Sequence, residues 1–370
     1  MKRRVCIVGI GMTPLKPLSE EVSYKEMMFE AAVKAYEDCG INPRKDVDTF
    51  VCCSEDYIEG TSIFDEYVPD QIGGALKQVH TITSDGLFGV CAAILQLLTD
   101  EFKIAVVEAH AKASNILTPD GVHMCALDPI YTRPLNVNPI FIAGLEYNSF
   151  LFNYPFTQTD CAEVVVKNKK NALKNPYAAY GANLSVEDVL NSFPLAYPLT
   201  ELEVSPYADG ACVVVLAREE VAKDLKKPPI YIDGFSFIQG SPNLEVRSWD
   251  YPRATEEAAK KAYQMAGISN PNKEIDFCEI DDTYSYKEIQ NALALNCRDI
   301  IINPSGGSLG MGYIYEGTGL MRLIMAVLQL RGEAGSFQVK VNGSLPKRAL
   351  VQSWRGVPTE NSCVLILSKE

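Results

Sequence analysis

An internal duplication is the feature that most constrains how this 370-residue chain can fold. The two copies are residues 35–48, AYEDCGINPRKDVD, and residues 262–276, AYQMAGISNPNKEID. Each copy ends a helix at a glycine, follows it with a proline that cannot continue the helix, and places an acidic residue before an apolar strand. One copy in each half of the chain excludes a solenoid of short units and predicts a duplicated domain.

The segments around the two copies alternate between helices and strands. Ser23 and Glu26 have the spacing of a capping box and predict the start of the first repeated helix. Three further kinds of element also come in pairs, one in each half. They are the strand that opens the half, the strand after the repeated helix, and an apolar helix that follows a glycine turn. These pairs are residues 5–10 and 230–237, 49–53 and 277–280, and 86–98 and 317–330. This order predicts α/β layers with largely parallel sheets.

The domain organisation follows from the duplication. We expect a first half over residues 1–227 and a second half over residues 228–370, joined at Lys226-Lys227-Pro228-Pro229. Residues 114–199 break the pattern because they are rich in proline, asparagine and aromatic residues. They are interpreted as a long insertion in the first half.

Composition excludes several classes of function. The net charge of −13 opposes non-specific binding to nucleic acid or to an anionic membrane. No apolar run approaches the roughly 20 residues that a membrane-spanning helix needs. The eleven cysteines are odd in number and form no C-x-x-C pair, which argues against a disulfide framework and a zinc ribbon. We therefore expect a cytoplasmic protein with reduced thiols and no metal site.

Three stretches resemble the thiolase superfamily, in particular its sterol-carrier-type and archaeal branches. They are residues 166–190, the SPYADGA segment at 205–211 with the apolar strand after it, and residues 303–332. The resemblance spans nearly the whole chain. It implies a five-layered αβαβα thiolase fold made of two βαβαβ-type halves. It also implies a homodimer, in which the third strand of each first half packs against its twin.

The positions that carry thiolase catalysis depart from the family pattern. Aligned on Gly89, the nucleophilic cysteine of the family falls on Gly86. The histidine of the family's H-D-x-F motif falls on Asp281, in the stretch Asp281-Asp282-Thr283-Tyr284. The histidine of its G-H-P motif falls on Tyr313, in Gly312-Tyr313-Ile314. The chain has three histidines, His80, His110 and His123, so no imidazole of the second half is available to activate a thiol.

Cys91 is the cysteine nearest to the expected nucleophile position. It follows the helix start by more than a turn and has apolar neighbours, so we interpret it as a core thiol rather than a displaced nucleophile. Cys52 and Cys53 at a strand end are also interpreted as structural.

A retro-aldol reaction on a β-hydroxyacyl-CoA thioester needs no cysteine. It needs a base for the hydroxyl group and a stabiliser for the thioester enolate. Tyr313 is similar to a tyrosine of thiolase-fold aldolases that act on CoA esters of steroid side chains. This resemblance implies that Tyr313 acts as a donor or a base, with Asp281 or Asp282 assisting and Tyr284 nearby. The alternative is that Tyr313 fills the space of the histidine and Asp282 bonds to the backbone.

Further candidates surround these residues. Gly86, Gly312 and Gly356 are candidates for oxyanion-binding amides, and Trp354-Arg355-Gly356 replaces a small loop of the family and is expected to narrow the site. The candidates for binding CoA are Lys167, Lys170, Ser305 and Gly306. For the lysines a solvated helix face is the simpler interpretation. No covalently bound cofactor is expected, and a CoA thioester is the expected substrate or ligand.

A second interpretation makes this chain a non-catalytic subunit. Thiolase-like proteins of this branch resemble components that work with a small OB-fold/zinc-ribbon partner or with a second thiolase. Gly86 would then mark a lost site. The sequence leaves both interpretations open.

Overall fold

Strands and helices alternate along the computed structural model, which describes residues 4–55, 67–125, 127–241, 243–356 and 360–369. The strands are β1 (Val5–Met12), β2 (Thr49–Cys53), β3 (Gln78–Ile82), β4 (Ile104–Lys112), β5 (Pro194–Ala196), β6 (Leu199–Thr200), β7 (Asp209–Arg218), β8 (Ile230–Gln239), β9 (Phe277–Glu279), β10 (Ile301–Ile302), β11 (Arg348–Arg355) and β12 (Asn361–Ser368). The helices of the first half are α1 (Tyr24–Cys39), α2 (Pro43–Asp46), α3 (Pro69–Ile72), α4 (Gly86–Leu97), α5 (Pro119–Cys125), α6 (Pro139–Asn153), α7 (Gln158–Ala172), α8 (Val186–Leu190) and α9 (Glu219–Ala222). Those of the second half are α10 (Arg253–Ala266), α11 (Pro271–Glu274), α12 (Ser285–Ala294), α13 (Gly307–Met311) and α14 (Gly317–Arg331).

The strand order shows the duplication directly. Ten strands are hydrogen-bonded in the order β10-β9-β11-β12-β8-β1-β7-β4-β2-β3. The two halves of this order mirror each other, with β1 equivalent to β8, β2 to β9, β3 to β10, β4 to β11 and β7 to β12. The halves meet where β1 pairs antiparallel with β8, through Ile7 opposite Ile230.

The prediction of largely parallel sheets is wrong for the central strands. Strand β2 runs parallel to β3 and β4, and β9 runs parallel to β10 and β11. Strands β7 and β12, in contrast, are antiparallel to both of their neighbours. The short connection between β11 and β12 accounts for the direction of β12, because a parallel pair needs a long crossover. Strand β7 follows β4 only after a long segment, so connection length does not determine its direction.

The layers are those of the αβαβα fold, which confirms the predicted fold class. Helices α4 and α14 contact strands of both halves and so lie between them, whereas α1 and α10 cover the outer faces. Alternation along the strands separates the cores on the two faces. In β4, Ala105 and Val107 face the central helices, while Ile104 and Val106 face α1. No helix in the described part of the chain is long and apolar enough to cross a membrane.

Local signals account for the ends of the repeated helices. The Ser23 side chain and the Glu26 carboxylate form the predicted capping box at the start of α1. Helices α1 and α10 both end at a glycine in the left-handed conformation, with φ of 76° at Gly40 and 69° at Gly267. These glycines confirm the helix ends that the duplicated sequence predicts.

The segment predicted as an insertion contains α5 to α8 and the β5–β6 hairpin. Helix α7 packs on α12 and α13 of the second half, and α6 packs on β5. This segment therefore reaches across to the second half, next to the ends of β9 and β11. The predicted junction Lys226-Lys227-Pro228-Pro229 lies between α9 and β8.

A glycine in the first strand of each half lets a helix approach the sheet closely. A Cβ atom on Gly9 would lie 2.6 Å from the carbonyl oxygen of Ala35, and one on Gly234 would lie 2.2 Å from that of Ala262. Ala35 and Ala262 are equivalent residues of the duplicated sequence. Both contacts are with backbone, which cannot rotate away as a side chain can.

We predict that Gly234→Ala lowers the free energy of unfolding by about 1–3 kcal/mol, because α10 must move away from β8. Gly121→Ala is the control, since a Cβ atom there has its nearest neighbour at 3.8 Å. It should leave stability unchanged or raise it slightly. Urea unfolding of the three proteins measures both effects. Equal stability of the two variants would contradict the close-approach argument.

Candidate active site

Two adjoining cavities lie at the ends of β9 and β11, and we name them the outer chamber and the inner niche. The outer chamber has a volume of ≈ 170 Å³ and is lined by His123, Pro139, Ile140, Val204, Ser205, Tyr207, Thr283, Tyr284, Tyr313, Tyr315, Trp354, Arg355 and Gly356. The inner niche has a volume of ≈ 10 Å³ and is lined by Asp85, Asp281, Tyr313, Tyr315, Glu316, Thr318, Trp354 and Arg355. The four residues that both cavities share form the passage between them.

The fold explains why these residues meet. Strands β9 and β11 are parallel neighbours, so their carboxyl ends lie at one edge of the sheet. Asp281 follows β9, and Trp354 and Arg355 end β11. Ligand sites of α/β proteins commonly lie at this edge. The starts of the central helices α4 and α14 supply Asp85 and Glu316 from the other side of the niche.

Tyr313 stands in the passage between the cavities. Its backbone N–H donates to the Pro206 carbonyl at 2.8 Å, and its carbonyl accepts from Ala208 at 3.0 Å. No described residue forms a hydrogen bond with its hydroxyl group. Burial raises the pKa of Tyr313 well above its usual value, and the nearby Arg355 guanidinium only partly opposes the rise. The hydroxyl therefore stays protonated at neutral pH and is suited to donate a hydrogen bond.

Glu316 is a carboxylate of the niche whose pKa lies near neutral pH. Burial raises its pKa to about 7, the Arg355 guanidinium opposes the rise, and Glu55 adds to it. Arg355 lies between these two acids, with Nη1 at 3.2 Å from the Glu316 carboxylate and Nη2 bonded to Glu55. A buried carboxylate with this pKa can take up and release a proton near pH 7.

Asp281 also lines the niche, but its carboxylate is held in place. It accepts hydrogen bonds from the Thr283 N–H at 3.0 Å and the Thr283 hydroxyl at 3.2 Å. The fully buried Arg322 forms an ion pair with it at 2.8 Å. Burial raises the pKa of Asp281, and Arg322 opposes that rise. Asp281 therefore places a fixed negative group at the wall of the niche.

Asp282 points away from both cavities. Its carboxylate accepts from the backbone N–H of Ser308 at 2.6 Å and of Leu309 at 3.1 Å, which are at the start of α13. It also accepts from the side chain of Asn168 at 2.8 Å and approaches Arg322 at 3.3 Å. This geometry matches the alternative interpretation, in which Asp282 bonds to the backbone. We therefore give it no role in the chemistry.

The three candidate oxyanion glycines differ in their geometry. The N–H of Gly86 donates to the Glu316 carbonyl at 2.7 Å, and that of Gly312 donates to the Ser308 carbonyl at 2.9 Å. Both amides are therefore occupied within the fold, and only Gly356 lines the outer chamber. A Cβ atom on Gly86 would lie 2.4 Å from Cγ of Leu320, so a larger side chain there must displace the Leu320 side chain. Sequence position alone did not reveal these contacts.

The candidate CoA-binding residues are not brought to the cavities. Lys167 bonds to the Glu288 carboxylate, and the hydroxyl of Ser305 donates to Glu279 at 2.7 Å. Gly306 packs so closely on α7 that a Cβ atom there would lie 2.6 Å from Ala172. Lys170 is exposed on the outer face of α7. Apart from the exposed Lys170, these residues contact neighbouring parts of the fold rather than a cavity.

None of the cysteines in the described part of the chain lines the chamber or the niche. Cys91 is buried inside α4, where its sulfur lies 3.4 Å from that of Cys363 on β12. This position agrees with its interpretation as a core thiol. Among the described residues, no group of three or more His, Cys, Asp or Glu side chains is arranged to hold a metal ion.

Sequence reasoning missed two of the five tyrosine and tryptophan residues that line the outer chamber, Tyr207 and Tyr315. Tyr207 and Tyr315 stack with ring centroids 5.2 Å apart, and the Tyr313 ring stands at 62° to Tyr315 at 5.5 Å. Tyr207 comes from the SPYADGA segment, and Tyr315 directly precedes Glu316, which was also missed. An acidic residue before a helix is too common to signal a site. The separation of these residues along the chain hides their contact.

The fold has close counterparts among solved structures. The structure of an "Ltp2-ChsH2(DUF35) aldolase" matches 99% of this chain and 97% of its own, with a TM-score of 0.82 and 22% identity. Human mitochondrial 3-ketoacyl-CoA thiolase in complex with CoA matches 99% of this chain and 98% of its own, with a TM-score of 0.75 and 15% identity. These likenesses define the thiolase fold.

Curated relatives add likeness in sequence. An acetyl-CoA acetyltransferase of Methanothermobacter thermautotrophicus is 27% identical over 365 residues, which cover 91% of this chain and 94% of the relative. Human sterol carrier protein 2 is 28% identical over 384 residues, 91% of this chain and 68% of that protein. No family model matches the chain. These comparisons confirm the likeness to the thiolase superfamily that the three quoted stretches predict, in sequence and in fold.

We predict that Asp282→Ala lowers the free energy of unfolding by about 3–5 kcal/mol, because it leaves Arg322 buried with one partner fewer and uncaps α13. Asp224→Ala is the control, since Asp224 is exposed at the end of α9. Thermal and urea unfolding compare the variants. A stable Asp282→Ala protein would show that the Asp282 contacts contribute little to the fold.

Proposed function

We propose that this chain makes or breaks a carbon–carbon bond of an acyl-CoA thioester by an aldol-type reaction, without a cysteine nucleophile. The observation that carries the proposal is the Tyr313 hydroxyl, which has no hydrogen-bond partner among the described residues and lies between two cavities. The aldolase among the structural neighbours supports the same reaction class. So does the location of the described cysteines outside both cavities.

In the cleavage direction the substrate is a β-hydroxyacyl thioester. A base takes the proton of the β-hydroxyl group, the Cα–Cβ bond breaks, and its electron pair moves to Cα as a thioester enolate. The β carbon leaves as an aldehyde or ketone, and Cα then takes up a proton. Donors that meet the developing negative charge lower the barrier. No bond to the protein forms at any step.

Glu316 is the base in this proposal, and Tyr313 is the donor. A pKa of about 7 leaves Glu316 partly ionised at neutral pH, so that it can accept the hydroxyl proton. The raised pKa of Tyr313 disfavours a tyrosinate, so the phenol acts as a hydrogen-bond donor rather than as a base. Asp281 and its partner Arg322 fix the shape and charge of the niche. Tyr284 contributes to the chamber wall.

The CoA part of the substrate extends from the outer chamber to solvent in this proposal. Of the four residues suggested for CoA, only Lys170 carries a charge on an exposed side chain outside a buried ion pair. The outer chamber opens to solvent beside the partly exposed Tyr207, so the thioester arm has a route out of the site.

A role with a partner is the second candidate function. The aldolase neighbour carries a two-component name, Ltp2-ChsH2(DUF35), and this likeness supports a complex for the present chain as well. We propose that this chain works with an OB-fold/zinc-ribbon protein or a second thiolase, and that it forms a homodimer. Strand β3 lies at the end of the described sheet order, which leaves one of its edges for such a contact. A cytoplasmic location is part of the same proposal.

We predict that Tyr313→Phe lowers the rate of aldehyde or ketone release from β-hydroxyacyl-CoA thioesters by about 100-fold or more, because the enolate or oxyanion loses its donor. Tyr197→Phe, at a tyrosine that is 82% exposed, is the matched control and should keep the activity. The assay is run with the chain alone and with its candidate partner added. Unchanged turnover in Tyr313→Phe would contradict the assignment.

The pH dependence tests Glu316. Because Glu316 must be ionised to accept a proton, kcat/KM should rise with pH through about 7 and level off above it. Glu316→Gln should abolish this rise of kcat/KM with pH and lower kcat/KM by about 100-fold or more. Glu279→Gln is the control, since burial raises the pKa of Glu279 to about 8 but it lies outside both cavities. If kcat/KM of Glu316→Gln still rose with pH near 7, the base would be another residue.

A further inference from the structure

We propose, on the basis of the function proposed above, that the acyl substrate carries a single planar six-membered ring on its β carbon. The substrate class is then a 3-aryl-3-hydroxypropanoyl-CoA thioester. The outer chamber takes the ring, and the inner niche takes the hydroxyl group. Three features of the cavities carry this inference: their volumes, their lining, and the contacts that hold the lining in place.

The volume of the outer chamber fits one ring. At ≈ 170 Å³ it is slightly larger than the roughly 150 Å³ cavity that holds benzene in an engineered protein core. Sites that enclose drug-sized ligands measure about 300–1,000 Å³. A fused polycyclic group would therefore extend beyond the chamber as it stands. A methyl or ethyl group, in contrast, would leave most of the chamber unfilled.

The lining favours an aromatic ring over an aliphatic group of similar size. Five aromatic side chains with a hydroxyl or indole group line the chamber: Tyr207, Tyr284, Tyr313, Tyr315 and Trp354. The edge-to-face arrangement of Tyr313 and Tyr315, with 62° between their planes, presents one ring face and one ring edge. Aromatic rings prefer edge-to-face and offset stacked contacts, and such a wall offers both to a bound ring.

Buried charges hold one wall of the chamber in place. The indole N–H of Trp354 donates to the Glu360 carboxylate at 3.3 Å, and the Lys287 ammonium lies 4.0 Å from the centre of a Trp354 ring. Lys287 is itself paired with the buried Glu146. A shift of Trp354 to admit a larger group would disturb these contacts. The wall therefore selects for ligand size rather than adapting to it.

The inner niche sets the orientation of the substrate. Its volume of ≈ 10 Å³ is about the minimum that holds one water molecule, so it admits a hydroxyl oxygen but no ring. With the hydroxyl next to Tyr313 and Glu316, the ring lies in the chamber and the thioester arm leaves through the open side. The O–H proton passes to Glu316 and the Cα–Cβ electron pair moves to Cα, which is then protonated. The products are an aryl aldehyde and acetyl-CoA.

Binding of small alcohols tests the inference without turnover. Isothermal titration calorimetry compares 1-phenylethanol with 2-butanol and with 1-(2-naphthyl)ethanol. We expect 1-phenylethanol to bind about tenfold or more tightly than the other two alcohols. The side chain of 2-butanol leaves the chamber partly empty, and the naphthyl group exceeds it. Equal binding of 2-butanol or of the naphthyl alcohol, or no binding of 1-phenylethanol, would overturn the inference.

Two variants on neighbouring residues of α6 sharpen the test. Ile140 lines the chamber, whereas Phe141 is 47% exposed on the outer face of the helix. Ile140→Ala should raise the ratio of naphthyl to phenyl affinity by about tenfold, since it removes several carbon atoms from the chamber wall. Phe141→Ala should leave the ratio unchanged. The same ratio in the wild type and in Ile140→Ala would place the ring elsewhere.

Turnover separates this inference from the proposed reaction. Aldehyde release from 3-hydroxybutanoyl-CoA that is faster than from 3-hydroxy-3-phenylpropanoyl-CoA would reject the ring selectivity and keep the aldol reaction. The expected ligand order without any aldehyde release, even with a partner present, would support the selectivity and reject the aldol reaction.

Discussion

The starts of the two central helices are tied together, and the arrangement of the candidate site depends on this contact. The Asp85 carboxylate accepts from the N–H of Leu87 in α4 at 2.9 Å and from that of Gly319 in α14 at 2.8 Å. In return, the N–H of Gly86 donates to the Glu316 carbonyl at 2.7 Å. One buried carboxylate thus satisfies free amides of both helices. Because Leu320 fills the space beside Gly86, this junction leaves no room for a side chain at that position.

In the proposed reaction, the lack of space for a side chain at Gly86 assigns the chemistry to the carboxylates and phenols around it. Glu316 stands at the start of α14, where burial and Arg355 act on it in opposite directions. Its pKa stays raised, so a proton can be exchanged there near neutral pH. The ion pair with Arg322 fixes the Asp281 carboxylate in the wall of the niche. The candidate site is thus lined by carboxylates and phenols, and none of the described cysteines lies in it.

Much of the fold could be predicted from the sequence, but only part of the site could. Glycine caps, the Ser23–Glu26 capping box and the duplicated segments are local signals, and the structure bears them out. The direction of β7 and β12 was not predictable from alternation alone, because it depends on how strands order in the sheet. Tyr313 and Asp281 were found through the resemblance. Glu316 and Tyr207 were missed because their significance arises from contacts between distant segments, and the free amides expected at Gly86 and Gly312 are taken by such contacts.

The antiparallel pairing of β1 with β8 gives the chain an internal symmetry like that of a dimer. The two halves pack about an approximate twofold axis, with equivalent strands side by side at the axis and equivalent glycines under equivalent helices. This is the geometry of two identical subunits joined through the same surface on each. Fusion of such subunits into one chain frees each copy to diverge. Here the first half contains the segment with α5 to α8, while the second half supplies most of the acids and aromatic rings of the two cavities. The candidate site is thus asymmetric although the scaffold around it is nearly symmetric.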